Sequence, residues 1–331
     1  MQDNSTKKSS IYNKNNNEKK GVFKRVSNLM IKERDLKCLR LLNEYGAVKR
    51  KYLHMIYQLD DVNSKRCNQY KYARINKLKQ EQYIEETDKI FILGTEGKKY
   101  LNLIGDELHY RNHLKMSKRK FLSEVHELLC KFNNFKITLG RTKIQLNQDG
   151  IEFIKLFYGK VISNDDKEYL VYKIKKESTN AYIKRVINEF NDFMATNIII
   201  IFETERQLNY YKEIDGHKRT IKKEILVMYE EESFKVLNLI SDNKLNNENV
   251  YRQLKNNIDI KYIKNYLYIN NVITFNFLED DFVNEELTDY FIKEKRIDNY
   301  YILCFEHQKD KIRNKFKNAK LVSLSINSMY K

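Results

Sequence analysis

Between Val62 and Gln80 the chain carries Lys65, Arg66, Lys71, Arg74, Lys77 and Lys79 and no Asp or Glu. At 100° per residue, one side of a helix here holds Cys67, Lys71, Arg74, Ile75 and Leu78, and the other holds Lys65, Gln69, Tyr72, Asn76 and Lys79. An acid-free polar face of this kind suits a polyanion. Lysines neutralise phosphates; Lys65, Gln69 and Asn76 can offer hydrogen bonds to base edges, and the amides of Gln69 and Asn76 match the donor and acceptor that adenine shows in the major groove. Tyr72 is placed for a phosphate or a thymine methyl, and Arg66 joins Lys65 in the DNA-facing set. Arg74 lies toward the apolar side, where its stem packs and its guanidinium needs a partner, so it reads as structural. Lys89, at a hairpin tip, suits a minor-groove or phosphate contact, and Lys49, Arg50 and Lys51 would face the DNA backbone.

The elements that must hold this face follow from apolar spacing. Leu29 to Tyr45 places Leu36, Leu39, Leu41 and Leu42 at helical intervals, and Gly46 sits where a C-cap glycine belongs. A second helix spans about Lys49 to Leu59. Asn63 or Ser64 then caps the third, which runs to about Gln80. Tyr83 to Glu85 and Ile90 to Leu93, separated by Glu86-Thr87-Asp88-Lys89, read as a hairpin, and Thr95 to Ile104 as a fourth helix. Three helices, a hairpin and a helix in this order form a winged helix-turn-helix. Residues 1–26, rich in Asn, Ser and Lys, read as a disordered basic arm. Phe121 to Phe132 is an amphipathic connector whose stripe is expected to pack within the molecule.

Farther on, strand candidates alternate with helical runs. The strands are Lys136 to Leu139, Ile151 to Phe157, Tyr169 to Ile174, Asn197 to Phe202, Glu224 to Tyr229, Tyr300 to Phe305 and Lys320 to Leu324. The helices include Ala181 to Phe193 and His307 to Phe316. Ile198 to Glu203 and Tyr301 to Glu306 echo each other, each followed by a charged helix, which we read as repeated β-then-α construction rather than duplication. The expected fold class is therefore α+β. A winged domain over 27–110 and a connector over 111–132 precede an α/β domain over 133–331 with a largely buried sheet, suited to oligomerisation or partner docking.

Charge divides the chain in the same way. Residues 1–120 hold 28 Lys+Arg against 14 Asp+Glu, and the remaining 211 hold 34 against 31. A uniformly lysine-rich composition would not produce this asymmetry, so the front third is the polyanion-facing part. The 331 residues contain no proline and 9 glycines, an imprint of AT-rich coding. Collagen-like and polyproline architectures are excluded, and the turns fall to Asn, Asp, Gly, Lys or Ser. Ile198 to Phe202 is the longest apolar run and far too short to span a bilayer, and no apolar segment follows the basic N-terminus, so a cytoplasmic protein without membrane contact is expected. Cys38, Cys67, Cys130 and Cys304 form no CxxC pair and read as small apolar residues.

Catalytic signatures are weak. The six histidines include no His-x-His pair of the relaxase kind; His109 and His113 are four apart without a third ligand nearby. Gly94-Thr95-Glu96-Gly97-Lys98 lacks P-loop spacing, and no Arg/His/Arg set accompanies the 24 tyrosines as a tyrosine recombinase requires. No catalytic residue, metal ligand or cofactor is assigned.

Lys32-Glu33-Arg34-Asp35-Leu36, Leu39, Leu42, Tyr45-Gly46, Ala73-Arg74-Ile75, Leu78, Tyr83-Ile84 and Phe91-Ile92-Leu93-Gly94-Thr95-Glu96-Gly97 resemble the opening winged helix of the replication-relaxation family of plasmids and other mobile elements from Gram-positive bacteria. The resemblance covers about residues 29–105. It implies a following α/β domain similar to restriction-endonuclease folds, with His126 before its first helix. Such a nuclease needs carboxylates to hold Mg²⁺ beside a lysine. The core strand, Tyr169-Leu170-Val171-Tyr172-Lys173-Ile174-Lys175, supplies lysines, and Asp149 and Glu152 are the acids available to it, so a degenerate scaffold is expected. The functional expectation is a sequence-specific double-stranded DNA-binding protein acting in replication initiation or at a transfer origin. A second copy of the chain, or replication or transfer proteins, would be its protein partners. An origin-nicking enzyme and a transcriptional repressor are the alternatives.

Overall fold

The computed structural model describes residues 29–57, 65–109, 114–138, 156–192, 196–214 and 221–330, without the side chains of 65–71 and 191–192. The basic arm, Asn63, Ser64, His113, Asp149 and Glu152 lie outside the described residues.

The front module begins with α1 (Glu33–Tyr45), closed by Gly46 at φ 75°. It continues through β1 (Val48–Lys49), α2 (Arg50–Ile56), α3 (Lys65–Gln80), β2 (Ile84–Thr87), β3 (Ile90–Leu93) and α4 (Thr95–Leu103). The strands pair antiparallel in the order β1-β3-β2. β2 and β3 turn on Asp88 and Lys89, at φ 52° and 61°, a two-residue turn whose left-handed pair matches strand twist without glycine. Glycine is needed just beyond it. A Cβ on Gly94 or on Gly97 would meet the carbonyl oxygen of Gln82 or Tyr83 at 2.2 Å, so these glycines let α4 close on the 82–83 turn.

Both faces of this small sheet are covered. Phe91 and Leu93 enter the main core, and Ile90 and Ile92 meet Ala47, Leu122, Leu114 and Phe121. Leu114 precedes and Leu122 and Phe121 belong to α5 (Met116–Leu129), which also sends Val125, Leu128 and Leu129 into the main core. The amphipathic connector thus packs within the molecule and binds the front module to the rest.

Beyond α5 lie two five-stranded sheets. The first contains β4 (Lys136–Ile137), β5 (Gly159–Ile162), β6 (Glu168–Ile174), β7 (Asn197–Phe202) and β8 (Lys223–Met228), with α6 (Asn180–Asp192) and α7 (Glu205–Glu213) as crossovers. After α8 (Glu231–Ser241) and α9 (Asn247–Leu254) come β9 (Ile260–Ile263), β10 (Tyr266–Ile269), β11 (Val272–Asn276), α10 (Phe282–Lys295), β12 (Tyr301–Phe305), α11 (Lys309–Lys315) and β13 (Lys320–Leu324). In each sheet the first three strands are antiparallel, the next two join in parallel, and spatial order follows chain order. The echo between Ile198–Glu203 and Tyr301–Glu306 therefore extends to a whole unit, a helix, three strands and two αβ steps, which occurs twice. This corrects the reading of a single sheet with local β-then-α repetition.

β7 shows why the parallel strands read as unbroken apolar runs. Ile198, Ile200 and Phe202 face α6 and α7, and Ile199 and Ile201 face the opposite core, so the pleat buries all five residues from 198 to 202. That opposite core is continuous from Leu39 of α1 through Leu129 and Leu237 to Leu303 of the second sheet. Ile151 to Phe157 does not supply the second strand where it is described: Leu156–Tyr158 is irregular and β5 starts at Gly159. The protein is of mixed α+β class with eleven α-helices and three sheets among its described residues.

Candidate nucleic-acid interface

Helix α3 is anchored through its inner side. Ile75 and Leu78 are buried, and the Arg74 guanidinium donates from Nε to Asp35 Oδ1 at 3.0 Å and from Nη2 to the Met30 carbonyl at 2.7 Å. Asp35 is fully buried and also accepts from Tyr57 Oη at 3.0 Å and from the Lys32 amide at 2.8 Å. Burial opposes ionisation of Asp35, but the Arg74, Lys32 and Tyr57 hydrogen bonds prevail and hold its carboxyl below the usual range. One carboxylate therefore joins α1, α2 and α3, and Arg74 has the structural place its position on the helix suggested.

The outward side of α3 presents Tyr72, half exposed with its ring edge-on to His54 of α2 at 5.1 Å, and then Asn76 and Lys77, both exposed. Lys65, Arg66 and Gln69 lie on the described backbone of α3, but their side chains are outside the described residues. Lys89 is exposed at the hairpin tip. Among the described residues Lys77 and Lys89 take part in no ion pair.

The other expected contacts are engaged internally. Lys79 lies 2.7 Å from Glu86 of β2, and Arg50 pairs with the same carboxylate. Lys49 and Lys51 both pair with Glu127 of α5. Burial disfavours the charge on each glutamate, yet the two cations at each lower the pKa of both Glu86 and Glu127. Each cluster of two cations and one anion keeps a net charge of +1, and its cations stay partly exposed. Neither glutamate is adjacent to its cations in sequence, and spacing alone gives no signal for these clusters.

His126 of α5 lies between the rings of Tyr45 and Tyr52, at 4.6 and 4.9 Å, with Cys130 Sγ 3.4 Å from Nε2. Burial pushes its pKa down to about 4, which suits a neutral packing residue. His109 lines a cleft of about 590 Å³ between the front module and β4. No group of three or more His, Cys, Asp or Glu among the described residues is arranged to hold a metal ion. At the end of β6, Lys173 pairs with Glu203 at 2.6 Å and Lys175 with Glu124, so the core-strand lysines meet carboxylates from β7's exit and from α5. Buried Cys38 and Cys304 pack as apolar residues, with thiol pKa values raised by burial to about 12 and about 11. No helix among the described residues is long and apolar enough to cross a membrane.

Comparison with family models, curated proteins and solved structures finds no match for this chain.

Proposed function

We propose that the chain is a sequence-specific double-stranded DNA-binding protein of a plasmid or other mobile element, acting at a replication or transfer origin through a winged helix-turn-helix at its front. The observation that carries this reading is α3: a helix without acid, fixed from behind by Arg74, Ile75 and Leu78, with Tyr72, Asn76 and Lys77 facing outward. The element order α1-β1-α2-α3-β2-β3 and the three-stranded pairing fit a winged module. In this reading α3 enters the major groove, Gln69 and Asn76 read bases, and Lys65, Arg66 and Lys77 hold phosphates.

The first α/β unit reads as a restriction-endonuclease-like scaffold, with α5, three antiparallel strands and a crossover to a parallel fourth. Its strand-end lysines serve in ion pairs with Glu124 and Glu203. The two units then act as a platform for a second copy of the chain or for replication proteins.

Binding of the full chain to duplexes tiled across its own element, followed by fluorescence anisotropy, tests the proposal. One duplex should bind tighter than its scrambled version, and Gln69→Ala with Asn76→Ala should cost that duplex about 10–100-fold while barely changing the scrambled one, as expected for lost base contacts. Equal affinity for every duplex, or unchanged preference in the double variant, overturns the reading.

A further inference from the structure

The fifth strands of the two units, β8 and β13, are built alike and finished differently. Lys223 opens β8 and Lys320 opens β13. Each donates its amide to the carbonyl just before the parallel fourth strand, Lys223 to Thr196 at 3.2 Å and Lys320 to Tyr300 at 3.1 Å, so the two strands are in phase. Alternate residues of a strand turn their amides to opposite sides, which sends those of Glu224 and Leu226 outward from β8 and those of Leu321 and Ser323 outward from β13. On β8 the acidic turn 279–281 takes both. Glu224 donates to Asp281 Oδ1 at 3.0 Å and Leu226 to the Asp280 carbonyl at 3.1 Å, Ile225 and Asp281 form an antiparallel bridge, and Glu279 pairs with Lys223 at 2.6 Å. Among the described residues the strand partner of β13 is β12 alone, so Leu321 and Ser323 have no ladder hydrogen bond on their outer side. Lys320 is exposed and makes no ion pair there, its ammonium lying 5.8 Å from the Tyr301 ring centre. The chain around it is basic: from Lys311 to Lys331 there is no Asp or Glu, and Arg313, Lys317 and Lys320 are exposed.

We propose that the outer edge of β13 is the docking site for an acidic, extended segment of a partner protein. The segment runs antiparallel to β13, as residues 279–281 run against β8. Its carbonyl or carboxylate oxygens accept from the Leu321 and Ser323 amides, and one of its acids pairs with Lys320 as Glu279 pairs with Lys223. Main-chain hydrogen bonds of this kind supply affinity, and the side chains at the edge supply the choice of partner. A lysine at an open edge discourages pairing with uncharged strands, so the same residue that welcomes an acid turns neutral segments away. The chain's own acidic turn is committed elsewhere: Asp281 to Glu224, and Asp280 to Gln308 and Lys311. No residue of the front module takes part, so the site stands apart from the DNA-binding reading.

The test uses the full chain and a fluorescein-labelled peptide with the sequence of residues 277–283, Phe-Leu-Glu-Asp-Asp-Phe-Val, followed by anisotropy. A second peptide carries Gln and Asn in place of Glu and Asp. The acidic peptide should bind the wild-type chain more tightly than the neutral one, and Lys320→Glu should weaken it about 10-fold. Ser323→Pro deletes one outward amide and spares those of Lys320, Val322 and Leu324, which face β12. It should also cost about 10-fold, while Ser323→Ala binds as the wild type does. Amide exchange across 320–324 should slow when the acidic peptide is added to the wild-type chain. Equal binding of the two peptides, no binding of the acidic one, or an unchanged affinity in Lys320→Glu overturns the proposal, the last even if Ser323→Pro fails to fold. Sedimentation of the chain alone reads the other occupant: a dimer that Lys320→Glu dissociates gives the edge to a second copy and overturns its assignment to a partner protein.

Discussion

The two α/β units share an order of strands and helices but use the loop after their third strand in opposite ways. In the first unit that loop is basic: Lys175 pairs with Glu124 of α5, and Lys176 is exposed. In the second it is Glu279-Asp280-Asp281, which docks on the edge of the first unit's sheet. Asp280 accepts from the Leu226 amide through its carbonyl at 3.1 Å, Asp281 Oδ1 accepts from the Glu224 amide at 3.0 Å, and Glu279 pairs with Lys223 at 2.6 Å. One structural device survives in both. A buried glutamine early in the helical segment after the fourth strand ties back the loop after the third: Gln207 donates to the Ser178 carbonyl at 3.2 Å, and Gln308 donates to Asp280 Oδ2 at 2.8 Å. The fold thus sets where a loop emerges, and the neighbour it meets sets its charge. The first loop faces an acidic side chain of the connector, and the second closes a strand edge that would otherwise stay open to pairing.

The difference should be largest at Asp280. It receives Lys311 at 2.7 Å and Gln308 at 2.8 Å and sits at φ 53°, so Asp280→Ala removes two partners and places alanine in the left-handed region. A loss of about 2–4 kcal/mol is expected in urea unfolding. Lys176→Ala in the first unit's exposed loop should cost less than about 0.5 kcal/mol. Equal losses would mean that the two loops bear similar structural weight.

Next comes the pH dependence of the seam. Burial, with Asp281 nearby, pushes the Glu224 carboxyl up to about 7, despite the hydrogen bond from Tyr211. Its folded pKa exceeds the unfolded value, so the stabilising effect of the protonated form is fully present below about 4.5 and is lost as pH rises through about 7. Glu224→Gln should therefore raise stability by about 1–3 kcal/mol at pH 8 and much less at pH 5, as read by melts at the two values. A gain of the same size at both would show that Glu224 ionises freely in the fold.

The smallest effects probe what the units share. Gln207→Ala and Gln308→Ala should each cost about 1–2 kcal/mol, because each leaves buried polar groups unpaired. If one costs nothing, the glutamines are not equivalent ties.

Much of the front module was legible from sequence because its signals are local. The Leu36, Leu39 and Leu42 spacing with Gly46 marks α1, and the two β-prone runs around Glu86-Thr87-Asp88-Lys89 mark the hairpin, although Glu86 and Thr87 belong to β2 and the turn is only Asp88-Lys89. The meander β9–β11 was not read, although its turns use the same device: Lys264-Asn265 and Asn270-Asn271 have φ values between 49° and 70°. Without glycine these pairs resemble ordinary polar loops, and β9's alternation over four residues is too short to stand out. The strand Gly159–Ile162 escapes a sequence reading because Gly159-Lys160-Val161-Ile162 is not conspicuous beside the more apolar run that precedes it. At the candidate interface, the exposure of Tyr72, Asn76 and Lys89 followed from helical phase and turn position. The capture of Lys49 and Lys51 did not, because Glu127 reaches them from 78 and 76 residues away in the chain, and neither did that of Arg50 and Lys79, whose Glu86 lies 36 and 7 residues away on a strand rather than on their own helix.

By itself the sequence determined the asymmetry of charge, the absence of acid along α3, and the periods that mark the helices of the front module and the long apolar strands such as β7. These depend on composition and on intervals within a few residues, which a linear chain displays directly. Tertiary structure decided which of those charges remain available, that α5 closes the hairpin's outer face, and that one unit is built twice with opposite loops. A truncation ending at 110, which sequence spacing alone would suggest, removes Leu122 and Phe121 from Ile90 and Ile92, so any isolated front module must run through α5. Ion pairing and burial are properties of proximity in space, and residues far apart along the chain become neighbours once the shared core has formed.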